Sequence, residues 1–94
     1  DIEREEIYKK IRQETGSGLQ DYEHHDIAYL VEAYNEHTER GRDVYFEFTN
    51  FMAEHCDGDR NNDAENLRLY RRLSHIMHRT FQICESFIQQ QPHE

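Results

Sequence analysis

Apolar residues recur along this chain at spacings of three and four, and no segment alternates with the period of a half-buried strand. Four amphipathic helices follow from that pattern. The first is predicted over residues 2–15, where Ile2, Ile7, Tyr8 and Ile11 form a thin apolar stripe. Glu5–Lys9 and Glu6–Lys10 are spaced four apart with the acid first, and each pair adds about 0.2–0.5 kcal/mol. So narrow a stripe suits a helix docked at an edge. Gly16-Ser17-Gly18 is expected to end it, since glycine enters left-handed backbone angles without a steric penalty.

The second helix is predicted over residues 20–39, with Ile27, Leu30, Val31 and Tyr34 as its stripe. "RGRD" around Gly41 is expected to turn the chain. The third helix, 43–56, carries Val44, Phe48, Phe51 and Met52, and Tyr45 and Phe46 broaden its apolar face. A polar connector, "DGDRNN", follows. Asn62 then reads as an N-cap with Glu65 three positions on, a capping-box arrangement. The fourth helix, 63–90, would reach roughly 40 Å at ~1.5 Å per residue, about twice the third. Short connections favour antiparallel neighbours. The predicted fold is all-α: a small antiparallel bundle of about four helices with a long C-terminal helix, one domain over residues 1–94. The surplus length of that helix is expected to project or to pack against a second protomer.

Composition sharpens this picture. Ninety-four residues allow one modest core, and 35% apolar against 33% charged residues leaves that core thin. A protein partner or a second copy is therefore expected to complete the burial. Twenty acidic and 11 basic side chains give a formal charge of −9, which favours cationic partners and disfavours broad nucleic-acid or anionic-membrane binding. No apolar run approaches the ~20 residues of a membrane span. Cys56 and Cys84 fit neither a disulfide scaffold nor a zinc motif, so reduced thiols and an intracellular, cytoplasmic setting are expected, with no cofactor.

Against that acidic background stands "RLYRRLSHIMHR", residues 68–79. At about 100° per residue, Leu69, Tyr70, Leu73, Ile76 and Met77 fall on one side of the helix. Arg68, Arg71, Arg72, His75, His78 and Arg79 fall on the other. This polar side is either a solvated face neutralised by carboxylates of the other helices, a partner-docking face, or an anion or nucleic-acid site. Arginine is the charged residue most enriched at interfaces. The expectation is a non-enzymatic protein–protein interaction domain (an adaptor, a complex subunit or a small inhibitor) that docks through these six residues, with acidic faces elsewhere.

Arg72 and His78, with five residues between them, also resemble the spaced Arg–His motif of the HEPN ribonucleases. The resemblance covers seven residues. It implies an all-helical dimer in which Arg72 and His78 assist cleavage by the RNA 2′-hydroxyl, and so an alternative function as a dimeric RNA-processing or anion-binding protein. Leu73 stands where that family often has a polar residue. Arg72 and His78 lie roughly 120° apart around the helix, so one centre would gather them across a dimer seam.

Other constellations are less developed. Glu23, Ile27, Leu30, Tyr34 and His37 lie along one line of the second helix, and a turn at Gly41 would bring His55 back beside Glu23 and His24. Inward carboxylates and imidazoles are how bundles hold metals, but the repeated Glu-x-x-His pairs of di-iron bundles are missing, and structural histidines are expected. Asp57, Asp59, Asn61 and Asp63 follow the alternation of a calcium loop, yet Asn62 and Arg68 replace its glycine and its bidentate glutamate. Cys84 lies within an apolar arc and should be inert. Tyr45 or Phe46, and at the margin of the second helix Tyr22 and Tyr29, are candidate exposed anchors.

Overall fold

The predicted apolar residues of the first segment are all buried: Ile2, Ile7, Tyr8 and Ile11 seat α1 (Arg4–Thr15) against its neighbours. The structure, a computed structural model, describes residues 2–56 and 64–90. Gly16 ends α1 at φ 71°, and its N–H donates to the Arg12 carbonyl at 3.0 Å. α2 (Asp21–Glu36) begins with a reciprocal cap, in which the Gln20 backbone N–H donates to Glu23 Oε1 at 2.8 Å. Ile27, Leu30, Val31 and Tyr34 point inward as the periodicity requires.

The turn expected at Gly41 lies instead at His37, and Gly41 is inside a helix. α3 runs Thr38–Cys56, starting five residues earlier than the sequence pattern suggested. His37 alone is extended, at φ −167° and ψ 138°, and its Nδ1 accepts the Glu39 backbone N–H at 3.1 Å. A histidine thus fills the capping role usually taken by Ser, Thr, Asp or Asn. Gly41 serves packing: a Cβ at this position would lie 2.4 Å from the Tyr34 ring. Only a residue without a side chain lets α3 start so close to α2.

α4 (Ala64–Gln90) is the long helix. The segment with the calcium-loop alternation, residues 57–63, and the expected Asn62 cap lie outside the described residues. Contacts fix the directions of the helices. Glu23 meets Arg72 and Tyr34 meets Glu85, so α2 and α4 run parallel. Tyr45 meets His78 and Arg42 meets Glu85, so α3 is antiparallel to α4. Ile2 meets Asn35 and Tyr8 meets the His24 carbonyl, so α1 is antiparallel to α2 and hence to α4. The result is an up-down-up-down bundle in which α2 and α4 touch across the middle, with α3 on one side and α1 on the other.

Two neighbours share the length of α4. α1 covers its C-terminal part, where Ile2 and Ile7 line one groove with Ile83 and Phe87. α3 covers the stretch from Tyr70 to Glu85. The length that seemed surplus is therefore largely used within one chain, and α1 is the edge helix its thin stripe suggested. Ile7, Ile11, Ile27, Leu30, Val31, Ile76, Thr80 and Cys84 form the innermost layer. Thr80 satisfies its hydroxyl on the Ile76 carbonyl at 2.9 Å. No described helix is long and apolar enough to cross a membrane.

Candidate docking face on the last helix

The six basic residues of α4 do not form one surface. Arg72 reaches back over the rim to Glu23, a glutamate with no solvent exposure. Its Nε donates to Glu23 Oε2 at 2.7 Å and its Nη2 to Oε1 at 3.3 Å, a two-pronged grip. The same guanidinium donates to Ser17 Oγ and to the Gly18 carbonyl, each at 3.1 Å. One side chain thus ties α4 to α2 and to the α1–α2 connection. Burial alone would raise the Glu23 pKa, but the Arg72 and Gln20 hydrogen bonds outweigh it and hold the carboxyl below its usual range.

Arg79 is engaged in the same manner on the α1 side. It grips both oxygens of Glu14, at 2.6 and 2.5 Å, and donates to Gln82 Oε1 at 3.0 Å. The Arg79 hydrogen bonds also depress the Glu14 pKa. A third fork joins α3 to α4: Arg42 donates to Glu85 at 2.8 and 2.9 Å, and the Tyr34 hydroxyl donates to Glu85 at 2.5 Å. Arg42, followed by Tyr34, keeps Glu85 ionised to lower pH, while burial and the carboxylate push the Tyr34 phenol up. Glu23 and Glu14 answer part of the expectation of a face neutralised by the other helices, whereas Glu85 belongs to α4 and takes an arginine of α3.

His78 turns toward α3. Its Nδ1 lies 2.8 Å from the Tyr45 hydroxyl, a hydrogen bond that joins α4 to α3, and burial raises the Tyr45 pKa. Arg68, Arg71 and His75 remain exposed, and none forms an ion pair with a described residue. Arg71 lies at a shallow groove of about 330 Å³ between α3 and α4, with Thr49, Met52, Ala53 and Ser74. On the α3 side of this groove, by helical position, Phe46 is 55% exposed, the most exposed large apolar side chain among the described residues. Sequence reasoning had marked Phe46 as an anchor but had not joined it to the basic stripe. The signal was available in the helical angle: Phe46, Thr49 and Ala53 share one flank of α3.

The other sequence-based candidates separate. Arg72 and His78 act on opposite flanks of α4, one toward α2 and the other toward α3. Glu23, His24 and His55 do not converge, because Glu23 faces Arg72 while the His24 ring meets Tyr8 edge-on at 4.5 Å. His55 stacks on Phe51 at 4.1 Å and lies beside Tyr70 at the far end of α3. Glu23 meets Arg72 and His55 lies beside Tyr70, two residues away on α4, so the three residues share one end of the bundle while their side chains turn to different partners. Among the described residues no three metal-ligating side chains are grouped to hold an ion. Cys84 is fully buried, and desolvation pushes its thiol up to about 12, which keeps it protonated and unreactive. Tyr22 and Tyr29 are exposed on α2, with Tyr22 within electrostatic reach of Arg72.

What this face binds is therefore a matter of its own geometry and chemistry. No family model, curated protein or solved structure was found to match the chain.

Proposed function

We propose that this chain is a non-enzymatic protein-interaction domain, an adaptor, complex subunit or small inhibitor, and that it docks a protein through the α3–α4 face. Of the six basic residues, Arg68, Arg71, His75 and His78 are the docking set, with Phe46 as the apolar anchor. Arg72 and Arg79 belong to the scaffold. The observation that carries this reading is the contrast between two arginines locked on carboxylates and two left in solvent on the face that also carries an exposed phenylalanine. A positive stripe with an aromatic neighbour suits an acidic protein surface, since arginine and phenylalanine are both enriched at interfaces. The net charge of −9 works against extended nucleic acid while leaving this local stripe attractive.

The test is site-directed photo-crosslinking in the source cell, with the photoreactive residue at His75 and, as a control, at Glu36 on α2. A discrete protein adduct is expected at position 75, absent at position 36 and lost when Arg71→Glu is added. The same adducts at both positions would overturn the docking reading. A nuclease-sensitive adduct at position 75 would favour the RNA-processing alternative.

A further inference from the structure

We infer that the partner for this face is a second copy of the chain, paired about a two-fold axis that runs parallel to α3 and α4. The inference rests on the proposed docking role of the face and names its occupant. Its basis is charge complementarity in a defined register.

Within one protomer Tyr45 lies level with His78, and Met52 with Arg71 and Ser74. The numbers of level residues therefore sum to nearly the same value along the whole face, as they must for antiparallel helices. A two-fold axis parallel to the helices lays α3 of the partner over α4 without changing height. Each α3 residue then meets, across the dimer, the α4 residue already level with it.

That rule decides which charges meet. By helical position, the edge of α3 away from α4 carries the exposed acids Glu47 and Glu54, seven residues apart. The outer edge of α4 carries His75 and Arg68, also seven apart. The register brings Glu54 to the level of Arg68 and Glu47 to the level of His75, so two acid–base pairs form on each rim. Inside the rims lie Phe46, Thr49 and Ala53 from α3, facing Arg71, Ser74 and His78 from α4. An isologous face requires this kind of self-complementarity. Its centre is mixed, with the Phe46 ring and Ala53 among polar and basic side chains, and charged pairs close the rim.

Size sets the expected strength. α3 is about 28 Å long and helices pack 8–10 Å apart, so the face offers on the order of 500–600 Å² per protomer. That is below the ~800 Å² of a standard interface and places the pair among weak, reversible dimers.

Sedimentation velocity from micromolar to millimolar concentration is the test, on wild type, Phe46→Asp, Arg68→Glu and Glu54→Arg. Wild type is expected to pass from monomer to dimer across that range. Phe46→Asp should move the midpoint about tenfold or more to higher concentration. Arg68→Glu and Glu54→Arg should each weaken the dimer, and mixing them should restore it, because their rims become complementary again. Helical circular dichroism of every variant guards against unfolding, and the exposure of all three residues makes retained folding the expectation. A chain that stays monomeric at every concentration overturns self-pairing while leaving a crosslinked partner of different mass at position 75 intact. A dimer indifferent to Phe46→Asp, or charge variants that weaken it and do not rescue each other, overturns this face and register.

Discussion

Glu23 shows how one residue can be legible in type and still be misread in role. Its place on the apolar side of α2 is evident from spacing, and an acid in that position suggests a ligand or a base. Its actual partners are the Gln20 N–H and the Arg72 guanidinium, so it serves as both cap and ion-pair anchor. Nothing in the local sequence specifies that pairing, because the partner lies 49 positions away. The consequence for stability has a definite sign. Glu14, Glu23 and Glu85 all have folded pKa values below their ordinary values. Their contribution is present in full above the unfolded carboxyl pKa of about 4.3 and disappears as pH falls through the lower folded values. Urea midpoints should therefore fall steeply below about pH 4.5, and Glu23→Gln should lower the neutral-pH midpoint while flattening that acid limb. An acid limb of unchanged steepness in Glu23→Gln would remove Glu23 from this account.

At the scale of elements, α1, α2 and α4 follow from hydrophobic periodicity with every end within three residues of its expected place. α3 was read short because glycine in a polar run signals a turn, whereas this glycine is selected by contact. Sequence alone does not reveal that Tyr34 lies over Gly41, nor that a histidine can cap the following helix. Two effects compete in Gly41→Ala. Alanine gains about 1 kcal/mol of helix propensity over glycine. Its methyl group must also displace an aromatic ring from a 2.4 Å approach, and overpacking of that kind costs about 1–3 kcal/mol. Tyr34 is buried and tied to Glu85, so the ring has little freedom to move, and the clash should prevail. Thermal unfolding should show a lower midpoint for Gly41→Ala, and a higher one would mean that propensity governs this site.

For the whole molecule, the amphipathic division of α4 was readable, but the further division of its polar side was not. Six basic residues share that side in sequence, and tertiary structure sorts them by which carboxylates lie within reach. Those toward α2 and α1 are taken up by Glu23 and Glu14, while Arg71 at the α3 groove and Arg68 and His75 on the outer edge stay in solvent. An acidic bundle thereby keeps a local positive stripe. The most direct test compares urea unfolding of Arg72→Ala and Arg71→Ala at neutral pH. Arg72→Ala leaves a buried carboxylate without its partner and should cost about 3 kcal/mol, whereas Arg71→Ala should stay within about 0.5 kcal/mol of wild type. Equal losses in the two variants, or a larger loss in Arg71→Ala, would contradict the separation of scaffold arginines from docking arginines.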